Sequence, residues 1–181
     1  MGETYELEVA GLKRELPKIK INDELTIASF VILGDVEIVK ATAPLLAKKM
    51  PEIDVVVSAE AKGIPLVHEV AHELGLQTYY IARKSVKPYM DNPVVQSVHS
   101  ITTQKEQILC LDGKDAQAIK GKRVAIVDDV ISTGESIRAL EQLVTAAGGT
   151  VVAKAAILAE GDASERDDII FLEKLPLFIN E

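Results

Sequence analysis

Two adjacent carboxylates and a short hydroxyl-rich segment give this sequence its clearest chemistry. Asp128 and Asp129 are followed, after two apolar residues, by the segment 132–136, which reads Ser-Thr-Gly-Glu-Ser. Ser and Thr side chains donate hydrogen bonds, and a glycine backbone can approach a ligand closely. If a helix begins here, its free backbone N–H groups and its dipole favour an anion such as phosphate. The two carboxylates would repel phosphate, so they suit neighbouring ribose hydroxyls or a Mg²⁺ ion.

The flanking residues predict the strand and the helix that position this segment, which we call the phosphate loop (residues 132–136). Residues 124–127 are all apolar, which is typical of a buried parallel strand. Apolar residues then recur at helical spacing between 137 and 144, and two glycines at 148–149 supply a stop signal. The alternative is an ordinary strand–helix turn that uses Ser and Thr as helix caps, but such a turn has no need of the acid pair.

Two further segments place positive charge near the same ligand. The β-branched run 53–57 predicts a strand, and the segment 60–63, Glu-Ala-Lys-Gly, separates it from a predicted helix. The run 77–82 predicts a third strand. Three cations follow that strand: Arg83, Lys84 and Lys87. Ligands of open α/β sheets bind outside the carboxyl ends of the strands, so these cations are well placed, although a solvated charge run is the alternative interpretation.

Together, the apolar strand, the acid pair and the Ser-Thr-Gly-x-Ser loop resemble the signature by which type I phosphoribosyltransferases bind 5-phosphoribosyl pyrophosphate (PRPP). The resemblance spans roughly residues 53–158. It implies the α/β fold of that family, with a central, mostly parallel sheet flanked by helices. It also implies a small hood built from about residues 1–35 and 159–181, within a single domain covering 1–181.

The resemblance implies a role for each segment. It implies catalytic roles for five residues: Arg83, Lys84, Lys87, Asp128 and Asp129. It implies that the PRPP 5′-phosphate is bound by Ser132, Thr133, Gly134, Glu135 and Ser136. It implies that the pyrophosphate is bound by Glu60, Ala61, Lys62 and Gly63. The long connection 88–104 resembles the family's mobile lid, with three candidate lid residues: Ser100, Thr102 and Thr103. Mg²⁺ is the implied cofactor, bound through PRPP, with Asp128 and Asp129 as candidate contacts.

The resemblance implies transfer of the phosphoribosyl group from PRPP to a purine base in purine salvage. Ser132 stands where hypoxanthine-guanine enzymes of the family carry an Asp near the purine N7, whereas adenine and xanthine enzymes carry a small residue there. We therefore expect adenine as the base, with a xanthine enzyme as the alternative. A non-catalytic PRPP-sensing regulator is the other class. Purine repressors of that class carry a DNA-binding segment before the core, and the first fifty residues here lack a basic helix-turn-helix pattern.

Composition limits the remaining classes. The chain has 181 residues, of which 48% are hydrophobic and 27% charged, as in a globular domain. A net charge of −8 argues against a nucleic-acid partner. No apolar run approaches the roughly 20 residues of a membrane helix, and no signal peptide is apparent, so we expect no membrane association and a cytoplasmic location. Cys110 is the single cysteine and is expected in the core. A homodimer is expected from the family and from symmetry preference.

Overall fold

In the computed structural model, which describes residues 2–98 and 107–180, strands and helices alternate along the chain. The strands are β1 (Thr4–Val9), β2 (Leu12–Lys20), β3 (Leu25–Ala28), β4 (Val55–Ala59), β5 (Tyr80–Ala82), β6 (Val94–Val98), β7 (Gln107–Leu111), β8 (Arg123–Ile131), β9 (Thr150–Glu160), β10 (Glu173–Leu175) and β11 (Leu177–Ile179). The helices are α1 (Val36–Lys49), α2 (Ile64–Glu73), α3 (Gly113–Ile119) and α4 (Glu135–Ala146), and a 3₁₀ turn covers Gly161–Glu165.

The central sheet is parallel throughout and has the order β10–β9–β8–β4–β5. Strand β8 lies in its middle, and its apolar residues alternate between two cores. Ala125 and Val127 pack with α1 and α2, whereas Val124 and Ile126 pack with α4 on the other face. Because both faces are covered, the strand is uniformly apolar up to the acid pair. The predicted α/β class, with a mostly parallel sheet flanked by helices, is confirmed.

A second sheet joins the two ends of the chain. Its order is β1–β2–β3–β11, and each neighbouring pair is antiparallel. In the last pair, Leu177 of β11 lies opposite Ile27 of β3. A strand near the C-terminus therefore completes the sheet that β1, β2 and β3 form. That this sheet acts as a hood, and that the hood spans about 1–35 and 159–181 of one domain, stays a prediction.

Asp35 connects this second sheet to the first helix. Its Oδ1 accepts a hydrogen bond from the backbone N–H of Ile38 at 3.1 Å, which caps α1. The guanidinium of Arg14 in β2 donates to both Asp35 oxygens, at 2.7 and 3.0 Å. These hydrogen bonds hold the pKa of Asp35 below its usual range. Helix α1 runs through Pro44 as one element.

Two connections contain elements that the sequence did not predict. Strand β6 lies within the connection 88–104, and it pairs antiparallel with β7. Helix α3 spans Gly113–Ile119, in a segment for which the sequence predicted no helix; it buries Ala116 and Ile119. The candidate lid residues Ser100, Thr102 and Thr103 lie outside the described residues, so their role stays a prediction.

Two expectations from composition can be compared with the structure. Cys110 lies in β7, is fully buried and is a free thiol, which confirms its assignment to the core. Among the described residues, no helix combines the length and the apolar character needed to cross a membrane.

Candidate active site

The acid pair lies on the central strand, not on the loop that follows it. Asp129 is 3% exposed, and its Oδ1 accepts a hydrogen bond from the Val130 backbone N–H at 2.9 Å. The Asp129 backbone N–H donates to Asp128 Oδ1 at 2.8 Å. Burial, reinforced by the adjacent Asp129 carboxyl group, raises the pKa of Asp128 well above its usual range. The protein by itself therefore places too little positive charge near these two carboxyl groups to stabilise both of them in the ionised form.

One oxygen of the acid pair indicates which chemical groups a ligand would have to supply. Asp129 Oδ2 is buried and has no hydrogen-bond partner within the part of the chain that the structure describes. Its cationic neighbour is Lys62 Nζ, 3.9 Å away. A buried polar atom without a partner is costly, so a ligand that brings donors or positive charge would stabilise this arrangement. Ribose hydroxyls and Mg²⁺ both meet that requirement, and Mg²⁺ prefers such carboxylate oxygens. The residues present therefore fit the implied cofactor.

The segment Glu60 to Gly63, which we call the pyrophosphate loop, lies against the acid pair. It connects β4 to α2, and the peptide bond between Glu60 and Ala61 is cis. A Cβ atom built on Gly63 would lie 2.5 Å from Ser58 Oγ and 3.2 Å from Asp128 Oδ1. Glycine at this position thus allows the loop and the acid pair to approach each other closely.

The side chain of Glu60 turns away from that approach and towards the three cations, which we call the cationic cluster (Arg83, Lys84 and Lys87). Glu60 Oε1 accepts a hydrogen bond from the Lys84 backbone N–H at 2.7 Å and lies 3.3 Å from Arg83 Nε. The Lys84 hydrogen bond and the positive charge of Arg83 lower the pKa of Glu60. Glu60 thereby connects the pyrophosphate loop to the cationic cluster. Because its carboxylate is turned towards the cations, Glu60 would contact a bound anion through its backbone.

Further contacts fix the cationic cluster at the end of β5. Arg83 exchanges two backbone hydrogen bonds of 2.8 Å with Cys110, which attaches the cluster to β7. Its Nη1 donates to the Tyr89 hydroxyl at 2.7 Å, and Lys87 Nζ donates to Ser85 Oγ at 2.7 Å. Lys84 is exposed. The predicted position at a carboxyl end of the central sheet is therefore observed, and the cluster is held by contacts beyond simple solvation.

The phosphate loop leads from β8 into α4, in the predicted order of strand, acid pair, loop and helix. Gly134 adopts a left-handed conformation with φ of +82°, which favours glycine, and it precedes the first helical residue, Glu135. The Arg166 guanidinium lies over this glycine, with Nη1 2.7 Å from where a Cβ would be. Thr133 and Ser136 are exposed. A cavity of about 350 Å³ beside the loop is lined by Thr133, Gly134, Glu135, Ile137, Arg138, Glu141 and Arg166.

Two residues at this edge of the sheet were missed by sequence reasoning. Glu160, at the end of β9, accepts a hydrogen bond from Ser132 Oγ at 2.7 Å. Ser58 is completely buried beneath the pyrophosphate loop. One signal could have indicated Glu160: it follows the apolar run 155–159, which is typical of a buried strand, and the ends of parallel strands meet at one edge of a sheet.

The fold is that of a parallel α/β protein, and its three loops converge at the carboxyl ends of the central strands. The family described as "Phosphoribosyl transferase domain" matches residues 36–176. The chain therefore belongs to the phosphoribosyltransferase family.

Individual relatives agree with that family. An adenine phosphoribosyltransferase of Clostridium botulinum is 30% identical over 144 residues, covering 76% of this chain and 78% of the relative. The transcriptional regulator GfcR of Archaeoglobus fulgidus is 33% identical over 139 residues, covering 76% of this chain and 64% of the relative. The crystal structure of adenine phosphoribosyltransferase from Thermoanaerobacter pseudethanolicus superposes with a TM-score of 0.71 at 23% identity, covering 88% of this chain and 95% of the other. That similarity confirms the predicted type I phosphoribosyltransferase fold.

Proposed function

We propose that this protein transfers the 5-phosphoribosyl group of PRPP to a purine, with adenine preferred, and releases pyrophosphate. The observation that carries the proposal is Asp129 Oδ2, which is buried, has no hydrogen-bond partner within residues 2–98 and 107–180, and lies 3.9 Å from Lys62 Nζ of the pyrophosphate loop. A phosphorylated ribose would supply hydroxyl donors to the acid pair while its 5′-phosphate reaches the start of α4. The adenine phosphoribosyltransferases among the relatives support the same activity.

In this reaction a purine nitrogen attacks C1 of the ribose while the bond from C1 to pyrophosphate breaks. Because the ribose becomes cationic and the leaving group gains negative charge, positioning and electrostatic stabilisation dominate. Asp128 and Asp129 hold the ribose hydroxyls and face the developing positive charge. The same two carboxylates would hold Mg²⁺ together with PRPP, and the ion would supply positive charge to the leaving group. Lys62 and the cationic cluster stabilise the departing pyrophosphate.

The cationic cluster leads to a kinetic prediction. We expect Lys87→Ala to lower kcat by about tenfold or more and to change the KM for the purine less, because the lysine acts on charge that develops as pyrophosphate leaves. Steady-state kinetics with saturating PRPP measures both constants. Lys48→Ala, an exposed lysine at the end of α1, is the matched control and should match the wild type. A Lys87→Ala enzyme with wild-type kcat would reduce the cluster to a solvated face.

The choice of base is tested directly. We expect kcat/KM to fall in the order adenine, xanthine, then guanine and hypoxanthine, because Ser132 offers a neutral side chain where an Asp would favour 6-oxopurines. The measurement is incubation with PRPP, Mg²⁺ and each base separately, followed by quantification of nucleotide and pyrophosphate. A preference for guanine would contradict the argument from Ser132.

A second candidate function is a PRPP-sensing regulator, and the similarity to GfcR favours it. The same experiment separates the two functions. Binding of PRPP by calorimetry, combined with no turnover of any base, would support the sensor and overturn the transferase.

We also propose that the protein forms a homodimer in the cytoplasm and binds neither nucleic acid nor membranes. The net charge of −8 supports the absence of a nucleic-acid partner. Light scattering should report a mass near twice 19.6 kDa, and a single species of 19.6 kDa would end the dimer proposal.

A further inference from the structure

We infer that Glu160 is a positioning residue that anchors the phosphate loop through Ser132, and that the Ser132 hydroxyl is therefore not a phosphate donor. The inference rests on the proposed function, because it concerns how the ribose 5-phosphate part of PRPP is bound. It also revises the role that the sequence implied for Ser132.

The Ser132 hydroxyl donates its single proton to Glu160. Ser132 Oγ donates to Glu160 Oε1 at 2.7 Å, a distance typical of a hydroxyl bonded to a carboxyl oxygen. A serine hydroxyl carries one proton, so this hydroxyl cannot donate to a phosphate oxygen while the bond to Glu160 persists. Its remaining lone pairs would repel phosphate. The side-chain donors left in the loop are the hydroxyls of Thr133 and Ser136, together with backbone N–H groups.

The hydrogen bond between Ser132 and Glu160 is expected to persist when a phosphate binds. Glu160 is 9% exposed, and Ser132 is the side-chain donor that reaches its carboxyl group within the described residues. Rotation of Ser132 towards a phosphate would leave Glu160 Oε1 without this donor in a largely buried position, which is costly. Ser132 is therefore expected to keep its hydrogen bond to Glu160 when a phosphate binds.

The backbone on both sides of Glu160 is held in place by neighbouring strands. It is the last residue of β9, and its backbone lies in parallel register with Leu175 of β10. The preceding residue, Ala159, pairs with Ile131 at the end of β8. The next residue, Gly161, has φ of +60° and lies under Leu177, whose Cδ1 is 2.6 Å from a built Cβ. Glu160 is thus fixed from both sides and can preorganise the first residue of the phosphate loop.

A double-mutant cycle tests the inference, with Ser132→Ala, Glu160→Ala and the double variant. Ribose 5-phosphate is the binding probe, measured by calorimetry, and the KM for PRPP and the KM for the purine are measured alongside. We expect each single change to raise the ribose 5-phosphate Kd and the KM for PRPP about tenfold, which is the loss of one hydrogen bond to a carboxylate. The KM for the purine should change by less than about twofold, which a general loss of structure would not produce.

The decisive comparison is the effect of Ser132→Ala when Glu160 is absent. If Ser132 acts through Glu160, the double variant should bind ribose 5-phosphate as Glu160→Ala does, to within about twofold. If Ser132 instead donates to the phosphate, Ser132→Ala should weaken binding by the same factor in both backgrounds, and that additivity would overturn the inference. Glu160→Gln keeps an oxygen acceptor for Ser132 and should restore binding to within about threefold of the wild type.

Two controls keep the test sharp. Glu165→Ala changes an exposed glutamate of the 3₁₀ turn that follows Glu160; Glu165 pairs with Lys174, so this change should leave the ribose 5-phosphate Kd unchanged. Glu160→Met preserves side-chain volume and replaces Glu160→Ala in the cycle if the latter does not fold. Because ribose 5-phosphate binding needs no turnover, coupling between the two residues in an inactive protein would uphold the inference while the proposed transferase falls.

Discussion

Replacing Asp128 and Asp129 together by Asn is expected to lower kcat/KM by about three orders of magnitude and to abolish Mg²⁺-dependent binding of PRPP. The reason is that both carboxyl groups lie near the end of the central strand, and one buried oxygen has no hydrogen-bond partner among residues 2–98 and 107–180. Asn keeps the size of each side chain, but removes the charge that we propose faces the ribose and holds Mg²⁺. Calorimetry with PRPP, with and without chelator, measures the loss of binding, and nucleotide formation measures the loss of rate.

A matched change elsewhere separates charge at the site from charge in general. Asp23→Asn removes an exposed carboxylate in the turn between β2 and β3, where it pairs with Lys20, and should leave both measurements unchanged. Because burial raises the pKa of Asp128, neutralising the pair should also leave the ligand-free protein at least as stable as the wild type at neutral pH. Undiminished, metal-independent binding of PRPP by the double variant would refute the assigned roles.

Gly63→Ala is expected to lower kcat/KM about a hundredfold by displacing groups at the acid pair. Gly63 has φ of −80° and ψ of −10°, a conformation open to alanine, so the backbone is not the obstacle. The obstacle is the added methyl group, 2.5 Å from Ser58 Oγ and 3.2 Å from Asp128 Oδ1. Because Ser58 is completely buried, it cannot swing into solvent, and the strain is transmitted to Asp128.

The steric explanation can be checked by removing the atom that is struck. Ser58→Ala in the Gly63→Ala background eliminates the shorter contact and should recover most of the lost kcat/KM. Ser58→Ala alone should remain close to the wild type, because the hydrogen bond from the serine hydroxyl to Ala59 O is long, at 3.5 Å. Full activity of Gly63→Ala by itself would show that the pyrophosphate loop and the acid pair do not need this close approach.

The parts of the molecule that sequence reasoning predicted are those encoded by neighbouring residues. Strand β8, the acid pair, the phosphate loop and α4 follow one another within 24 residues, from Arg123 to Ala146, so each element limits the next. Strand β4 was predicted because a β-branched run stands between turn residues. Helix α3 has seven residues, too few for a helical period to establish itself, and β6, although it contains three valines, lies in the long connection 88–104 and was not recognised.

The contacts that organise the site, by contrast, join residues far apart in the chain. Glu60 reaches the Lys84 backbone across 24 positions, and Ser132 reaches Glu160 across 28. No local pattern encodes such pairs, because they depend on the order of strands in the sheet. For the same reason, the expectation of a hood came from family resemblance, while its sheet depends on β11 pairing with β3 across most of the chain.

Because the acid pair lies on β8, its surroundings are expected to have a higher local stability than the loops around them. Asp128 lies in register with Ala156 of β9, on a strand that has β4 as its other neighbour, so its surroundings open only when the whole sheet unfolds. The pyrophosphate loop, the phosphate loop and the cationic cluster lie in connections, which open locally at far lower cost. Amide hydrogen exchange would therefore proceed by global unfolding at the acid pair and by local fluctuation around it. The molecule can admit and release ligands through these local openings while the carboxyl groups of the acid pair keep their arrangement.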